Sequence, residues 1–286
     1  MGAGLHEWPL MFFTVIGQSV AGAFILMTAV LLCSAMPQGQ RYKITLSMFG
    51  LWALMGVGFM LSMMHMGSPL RAFNSMLRFG HSALSNEIVS GSVFFAAGGF
   101  YWLLSALKKL PRAADKPFLL LVSVLAVIFI YAISRVYQIE TVPTWFNHYT
   151  SLQFILTSLI AGPVLAALLL RSAGSDLTGC RILVLISLLA AIAGCIVAIA
   201  QGFELGTIHS SVQRASELVP DYPLLSGLRF VMIFVGLGLW GISVAKLRNP
   251  SVIIMLIAFV LVFLGEFTGR GLFYGMHMTV GMAVAG

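Results

Sequence analysis

Charge is scarce in this chain: Asp, Glu, Lys and Arg together make up 9% of its 286 residues. Cysteine is scarcer still, with three residues, Cys33, Cys180 and Cys195, none in CxxC spacing. An iron–sulfur cluster takes about four thiolates, so the chain is expected to hold none. No close cluster of Cys and His offers a zinc or other metal site. Neither a phosphate-binding loop nor a dinucleotide fingerprint is present. All six histidines fall at the ends of apolar runs or in the connections between them. A buried haem needs axial ligands facing each other at depth, so haem is not expected either. The segment Gly2–Pro9 has no basic stretch ahead of the first apolar run, which therefore reads as a span rather than a cleaved signal.

What the chain has in abundance is apolar residues, 59% of the total, with a mean hydropathy of +1.00. They come in runs of about 20, the length that crosses a hydrocarbon layer of about 30 Å at about 1.5 Å per residue. Nowhere do they break into the alternating segments of about ten residues that a barrel requires. The expected fold is an all-α integral membrane protein, a single polytopic domain over residues 1–286. Eight transmembrane helices are predicted at about 10–33, 44–66, 87–107, 117–138, 151–171, 181–203, 225–246 and 252–274. Turn formers separate them, such as Gly67-Ser-Pro, Thr141-Val-Pro and Val219-Pro-Asp-Tyr-Pro. The 29 glycines suit close helix packing. No convincing internal repeat is legible.

The net charge of +7 reads as loop charge in a membrane protein rather than as a nucleic-acid surface. Ten basic residues, Arg41, Lys43, Lys108, Lys109, Arg112, Lys116, Arg171, Arg181, Lys246 and Arg248, fall at the connections after the first, third, fifth and seventh runs. The other six, all Arg, fall on the opposite side. The positive-inside rule then makes the first side cytoplasmic and puts both termini on the periplasmic side. That outer side also collects all six histidines and the longer, chemically mixed connections. Such connections tend to carry function.

The stretch 64–91 concentrates that chemistry. His65 closes the second apolar run and Glu87 opens the third. Two groups able to exchange protons at adjoining helix ends suit the oxidation or reduction of a lipid-soluble proton carrier. A plainer reading stands beside it. Ser85-Asn86-Glu87 is a natural helix start, and His65 suits a wetted interface. Arg71, Asn74 and Arg78 in the intervening connection could bind a ligand oxygen or serve as interfacial anchors and a turn former. In the last run Glu266 and Arg270 lie four apart on one helix face. They read as a buried ion pair or as a wall of the same site, since ionisable groups within spans face the bundle interior.

Six stretches carry a family resemblance: His6-Glu-Trp-Pro-Leu-Met, Gly67-Ser-Pro-Leu-Arg-Ala-Phe-Asn, Ala83-Leu-Ser-Asn-Glu-Ile, Thr141-Val-Pro-Thr-Trp, Thr207-Ile-His-Ser-Ser-Val-Gln and Gly269-Arg-Gly-Leu-Phe-Tyr-Gly-Met-His-Met. In order and along all eight runs, the sequence resembles the membrane-anchor subunit of the bacterial anaerobic dimethyl sulfoxide reductase family. The resemblance implies an eight-helix anchor in the bacterial inner membrane, without haem, iron–sulfur cluster or metal of its own. It implies a subunit that binds and oxidises menaquinol in anaerobic respiration and passes electrons to an iron–sulfur subunit. A molybdopterin subunit would carry out the terminal reduction, which the anchor does not catalyse alone. It associates a histidine after the second span and an acid at the start of the third with the quinol site, positions held here by His65 and Glu87. The quinol-binding set expected from residues and resemblance together is His65, Glu87, Arg71, Asn74, Arg78, Glu266 and Arg270. Two other functions remain open at this stage: a polytopic transporter or proton channel, and a purely mechanical anchor without its own quinol site.

Overall fold

A computed structural model describes residues 2–65, 78–177, 181–209, 213–247 and 250–279. Among these residues the regular structure is helical, apart from an isolated antiparallel bridge between His209 and Arg214. In chain order the helices are α1 (Gly2–Leu5), α2 (Trp8–Cys33), α3 (Gln38–Ser47), α4 (Phe49–His65), α5 (Ala83–Ala106), α6 (Arg112–Val136), α7 (His148–Ser172), α8 (Arg181–Leu205), α9 (Ala215–Leu218), α10 (Tyr222–Lys246) and α11 (Val252–Gly275). Eight segments are long and apolar enough to cross a membrane, with α3 and α4 joined into one span over Gln38–Met64.

Local chemistry sets the helix ends. Pro9 and Pro223 sit in the first turns of α2 and α10, where a missing N–H leaves no bond unmade. Asn147 caps α7 by accepting from the Thr150 N–H at 3.1 Å, and Ser251 caps α11 by accepting from Ile253. Pro163 interrupts α7 and deprives the Leu159 carbonyl of its helical donor. The Ser187 hydroxyl of α8 approaches that carbonyl at 3.4 Å and donates to the adjacent Ile160 carbonyl at 3.0 Å. In hydrocarbon such freed groups must be satisfied within the protein.

The eight spans pack as two rings of four. In the first, α2, α3–α4, α5 and α6 each contact the next and α6 returns to α2. In the second, α7, α8, α10 and α11 do the same. The rings join mainly where α2 meets α7 and α11, and where α6 meets α7. Accordingly α2 and α7 are the most enclosed spans, each 72% buried over its most apolar window. They come together at a glycine crossing. A Cβ on Gly22 would lie 2.3 Å from the Ser158 carbonyl oxygen, and one on Gly162 2.9 Å from the Gly22 Cα. The architecture thus repeats where no sequence repeat was legible, because ring packing asks only for apolar faces with small residues at crossings.

The described parts of the connections after α4, α6 and α8, together with both described ends, lie on one face, the loop-rich face. The connections after α2, α5, α7 and α10 lie on the other. On that opposite face Arg41 pairs with Asp115 at 2.5 Å, and the Tyr101 hydroxyl donates to the same carboxylate at 2.8 Å.

Candidate functional site at the loop-rich face

Glu87 lies one turn inside α5, about 6 Å below its first residue, and is 5% exposed. The helix begins at Ala83, four residues earlier than the sequence reading put it, with Ser82 at the N-cap position. Glu87 is therefore not a first-turn acid. Asn86 turns its side chain back to the connection and accepts from the Gly80 N–H at 2.7 Å. The helix-start reading of Ser85-Asn86-Glu87 thus gives way to a carboxylate held inside the span. Among the described residues Glu87 has no ion-pair partner, and its Oε1 is buried without a hydrogen bond. A buried polar atom left without a partner is uncommon and marks a place where a further group fits.

Two tyrosines stand close enough to Glu87 to interact with it electrostatically. They are Tyr137, just past the end of α6, and Tyr274, in the last turn of α11. Their hydroxyls are bonded to each other at 2.5 Å, and both rings are buried. The connection 139–147 folds over them. Trp145 stacks on Phe273 at 5.0 Å and donates its indole N–H to the Phe273 carbonyl at 2.9 Å. His277 lies against the outer side of the Trp145 ring at 4.7 Å.

Of the other expected residues, α4 ends at His65, whose side chain lies outside the described residues, as do Arg71 and Asn74. Arg78 is exposed in a turn and makes no ion pair among the described residues. Glu266 and Arg270 share a buried face of α11 as expected, but they are not each other's nearest partners. Arg229 of α10 reaches both oxygens of the Glu266 carboxylate at 3.2 Å. The Thr157 hydroxyl of α7 donates to Glu266 Oε2 at 2.6 Å. Arg270 donates to Gln18 of α2 at 2.7 Å and to Thr157 at 3.3 Å, with its guanidinium 3.6 Å from the centre of the Phe154 ring. The four spans α2, α7, α10 and α11 thus share one polar knot. Tyr137 and Tyr274 also interact electrostatically with Arg270, and so stand between the knot and Glu87. A second buried bond runs from the Gln153 amide to the Gln201 carbonyl, with Tyr222 beside it.

A family profile described as DMSO reductase anchor subunit (DmsC) matches residues 1–276. The protein belongs to the DMSO reductase anchor subunit family. It is 52% identical over 286 residues to the corresponding chain of the anaerobic dimethyl sulfoxide reductase of Escherichia coli strain K12, covering 100% of both. It is 51% identical, with the same coverage, to YnfH, an anaerobic dimethyl sulfoxide reductase chain of the same organism. The corresponding chain of the Haemophilus influenzae reductase is 39% identical over 288 residues, again covering 100% of both.

In this anchor-family protein the sequence reading singled out Glu87, Glu266 and Arg270 but not Gln18, Thr157, Tyr137 or Tyr274. Arg229 entered it only as one of the outer basic residues. Gln18 and Arg229 could have been found by a simple signal, a polar residue well inside an apolar run. The tyrosines and Thr157 give no such signal, because both residue types are ordinary in a span.

Proposed function

We propose that this anchor oxidises menaquinol at the loop-rich face and passes the electrons to a docked iron–sulfur subunit, which feeds a molybdopterin subunit reducing an S- or N-oxide. The observation that supports this most directly is the buried Glu87 carboxylate at the loop-rich end of α5, whose Oε1 has no partner among the described residues, beside the Tyr137–Tyr274 hydroxyl pair. Quinol oxidation releases two electrons and two protons. Its head group therefore needs a proton acceptor close by and a neutral surrounding once the quinone has formed. Glu87 is placed to accept one proton, and His65, at the facing helix end, is the acceptor for the other. The tyrosine hydroxyls orient the head-group oxygens. Quinol enters sideways from the bilayer, and the electrons leave through the roof of the site into the partner's cluster, with no haem between. Arg71, Asn74 and Arg78, between the second and third spans in sequence, contribute to binding or to the docking rim. Glu266 and Arg270 support the site from behind.

On the positive-inside argument the loop-rich face is periplasmic, in the bacterial inner membrane. The soluble subunits then sit in the periplasm and the protons are released on the same side.

The deciding measurement is quinol-dependent reduction of the partner's clusters in membranes where assembly has been verified. Glu87→Gln and His65→Arg are expected to slow it on the order of tenfold or more and to weaken inhibitor binding, the usual range for a lost general base being about 10²–10⁴-fold. Unchanged rates with subunits attached would reduce the protein to a mechanical anchor. Quinol-independent proton flux into sealed vesicles would instead support the channel reading.

A further inference from the structure

The second ring contains a cavity of about 630 Å³ between α8 and α10, at their loop-rich ends. It occupies, in the second ring, the place that the His65–Glu87 junction occupies in the first: the gap between the end of the ring's second span and the start of its third. The cavity is roofed by Ser216, Val219 and Pro220 and reaches down to Cys195 and Phe230. On α10 that is eight residues, a depth of about 12 Å. Ile199 and Phe203, at its edge, are 62% and 78% exposed on lipid-facing surface, so a ligand enters from the bilayer rather than from water. The gap exists because small residues stand there. A Cβ built on Gly227, in the wall, meets nothing within 4 Å.

Its chemistry selects the occupant. The volume falls in the range of about 300–1,000 Å³ usual for small-molecule pockets. The wall is mostly apolar and includes the rings of Phe203, Tyr222 and Phe230. Its polar groups are neutral. The Tyr222 hydroxyl donates to the Ala198 carbonyl at 2.8 Å, and Ser216 and Ser226 add two hydroxyls. One contact behind Tyr222 stands Gln201, 2% exposed, its Nε2 without a partner among the described residues. Among the described residues no Lys, Arg or His lines the cavity, and Arg229, 4.9 Å over the Phe230 ring, is paired with Glu266, so no free cation is there to hold a phospholipid phosphate. No Asp or Glu among the described residues lines it either, so no carboxylate of theirs is placed to take a proton from a quinol.

We infer that this cavity is a second, non-oxidising binding site for a prenylated quinone, with the ring under the Ser216–Pro220 roof and the isoprenoid tail running out past Phe203 into the bilayer. It holds the same class of molecule that the Glu87 site oxidises, on the side of the second ring turned away from the first. The identity of the ligand rests on the quinol reading above. The existence of a separate site does not.

The test uses the full-length protein in lipid bilayers, a photoreactive azido-naphthoquinone carrying a prenyl tail, and peptide mapping of the adducts. Wild type is expected to label in two regions, 195–230 and 83–91, and to retain about two quinones per molecule. Label in both regions should be displaced by unlabelled menaquinone despite the excess of phospholipid. Gly227→Phe fills the cavity and should reduce labelling of 195–230 at least tenfold, leave that of 83–91 intact, and lower retention to about one quinone. Gly227→Ala leaves room and should behave as wild type. Label confined to 83–91, with one quinone retained by wild type, overturns the second site and leaves the quinol function standing. Label in 195–230 that menaquinone does not displace, or that Gly227→Phe does not diminish, also overturns it. Label in neither region removes both readings. The wild-type stoichiometry decides the matter even where Gly227→Phe does not assemble.

Discussion

Arg229 and Thr157 reach the buried Glu266 carboxylate from two neighbouring helices and hold it by an ion pair and a hydrogen bond. The same arrangement makes it fragile. Removing one member of a buried pair leaves the other uncompensated, at about 3–5 kcal/mol, whereas replacing both with apolar groups is often neutral. Glu266→Leu alone is therefore expected to lower the thermal stability of the detergent-solubilised protein by about that amount. The double variant Glu266→Leu with Arg229→Met should recover most of the loss. Size-exclusion chromatography after a heat ramp gives the comparison, and equal losses in single and double variants would contradict the pairing. Thr157→Val removes a hydroxyl that serves both Glu266 and Arg270. Interhelical hydrogen bonds in membranes average about 0.6 kcal/mol, so a loss of about 1 kcal/mol is expected. Glu87 is the contrasting case. With Oε1 unpartnered among the described residues, Glu87→Gln should leave stability nearly unchanged while slowing quinol-dependent electron transfer. That separation of stability from activity is what distinguishes a working group from a brace.

At the scale of the helices, glycines decide which spans can touch. Gly265 and Gly269 face α10, and a Cβ on Gly269 would lie 2.5 Å from the Arg229 guanidinium carbon. The small face of α11 thus makes the space in which Arg229 meets Glu266. Within the first ring, the Trp52 ring of α4 lies over Gly98 of α5, where a Cβ would lie 1.9 Å from it. Gly98→Leu must displace Trp52 and with it the cluster of Phe24, Phe94 and Trp52. Overpacking of this kind destabilises by about 1–3 kcal/mol. The outcome can be read from Trp fluorescence and from midpoints of thermal unfolding. Gly227→Ala, into open space, should be neutral by the same measurements.

At the scale of the whole molecule, two four-helix rings meet along α2 and α7, and the backbone passes between them through the connection 137–147. Residues 139–141 in that connection are exposed. A protein cut there and expressed as two tagged halves is expected to copurify, because the interface is the most enclosed part of the molecule. Halves that separate in mild detergent would show instead that the covalent connection holds the rings together. Sidedness is a property of the same scale. With cysteine introduced at Glu140 or Lys109, both exposed and on opposite faces, an impermeant thiol reagent added to intact bacterial cells should modify the first and spare the second if the loop-rich face is periplasmic.

The sequence by itself determined the number of spans, their approximate limits and the gathering of the histidines on one side. These follow from hydrocarbon thickness and from the cost of burying charge, both of which act locally along the chain. It also marked Glu87, Glu266 and Arg270, because ionisable residues stand out in apolar runs. Only the tertiary structure decided their partners. The spacing of four between Glu266 and Arg270 suggested a pair, yet Arg229 lies 37 residues away in sequence and is nearer to the carboxylate. Likewise, Tyr137 and Tyr274 meet across 137 residues. The reason is geometric. A span's sequence reports how its own surface divides between polar and apolar, but which neighbour covers each face depends on how eight helices close into two rings, and that closure rests on glycine crossings between segments far apart in the sequence.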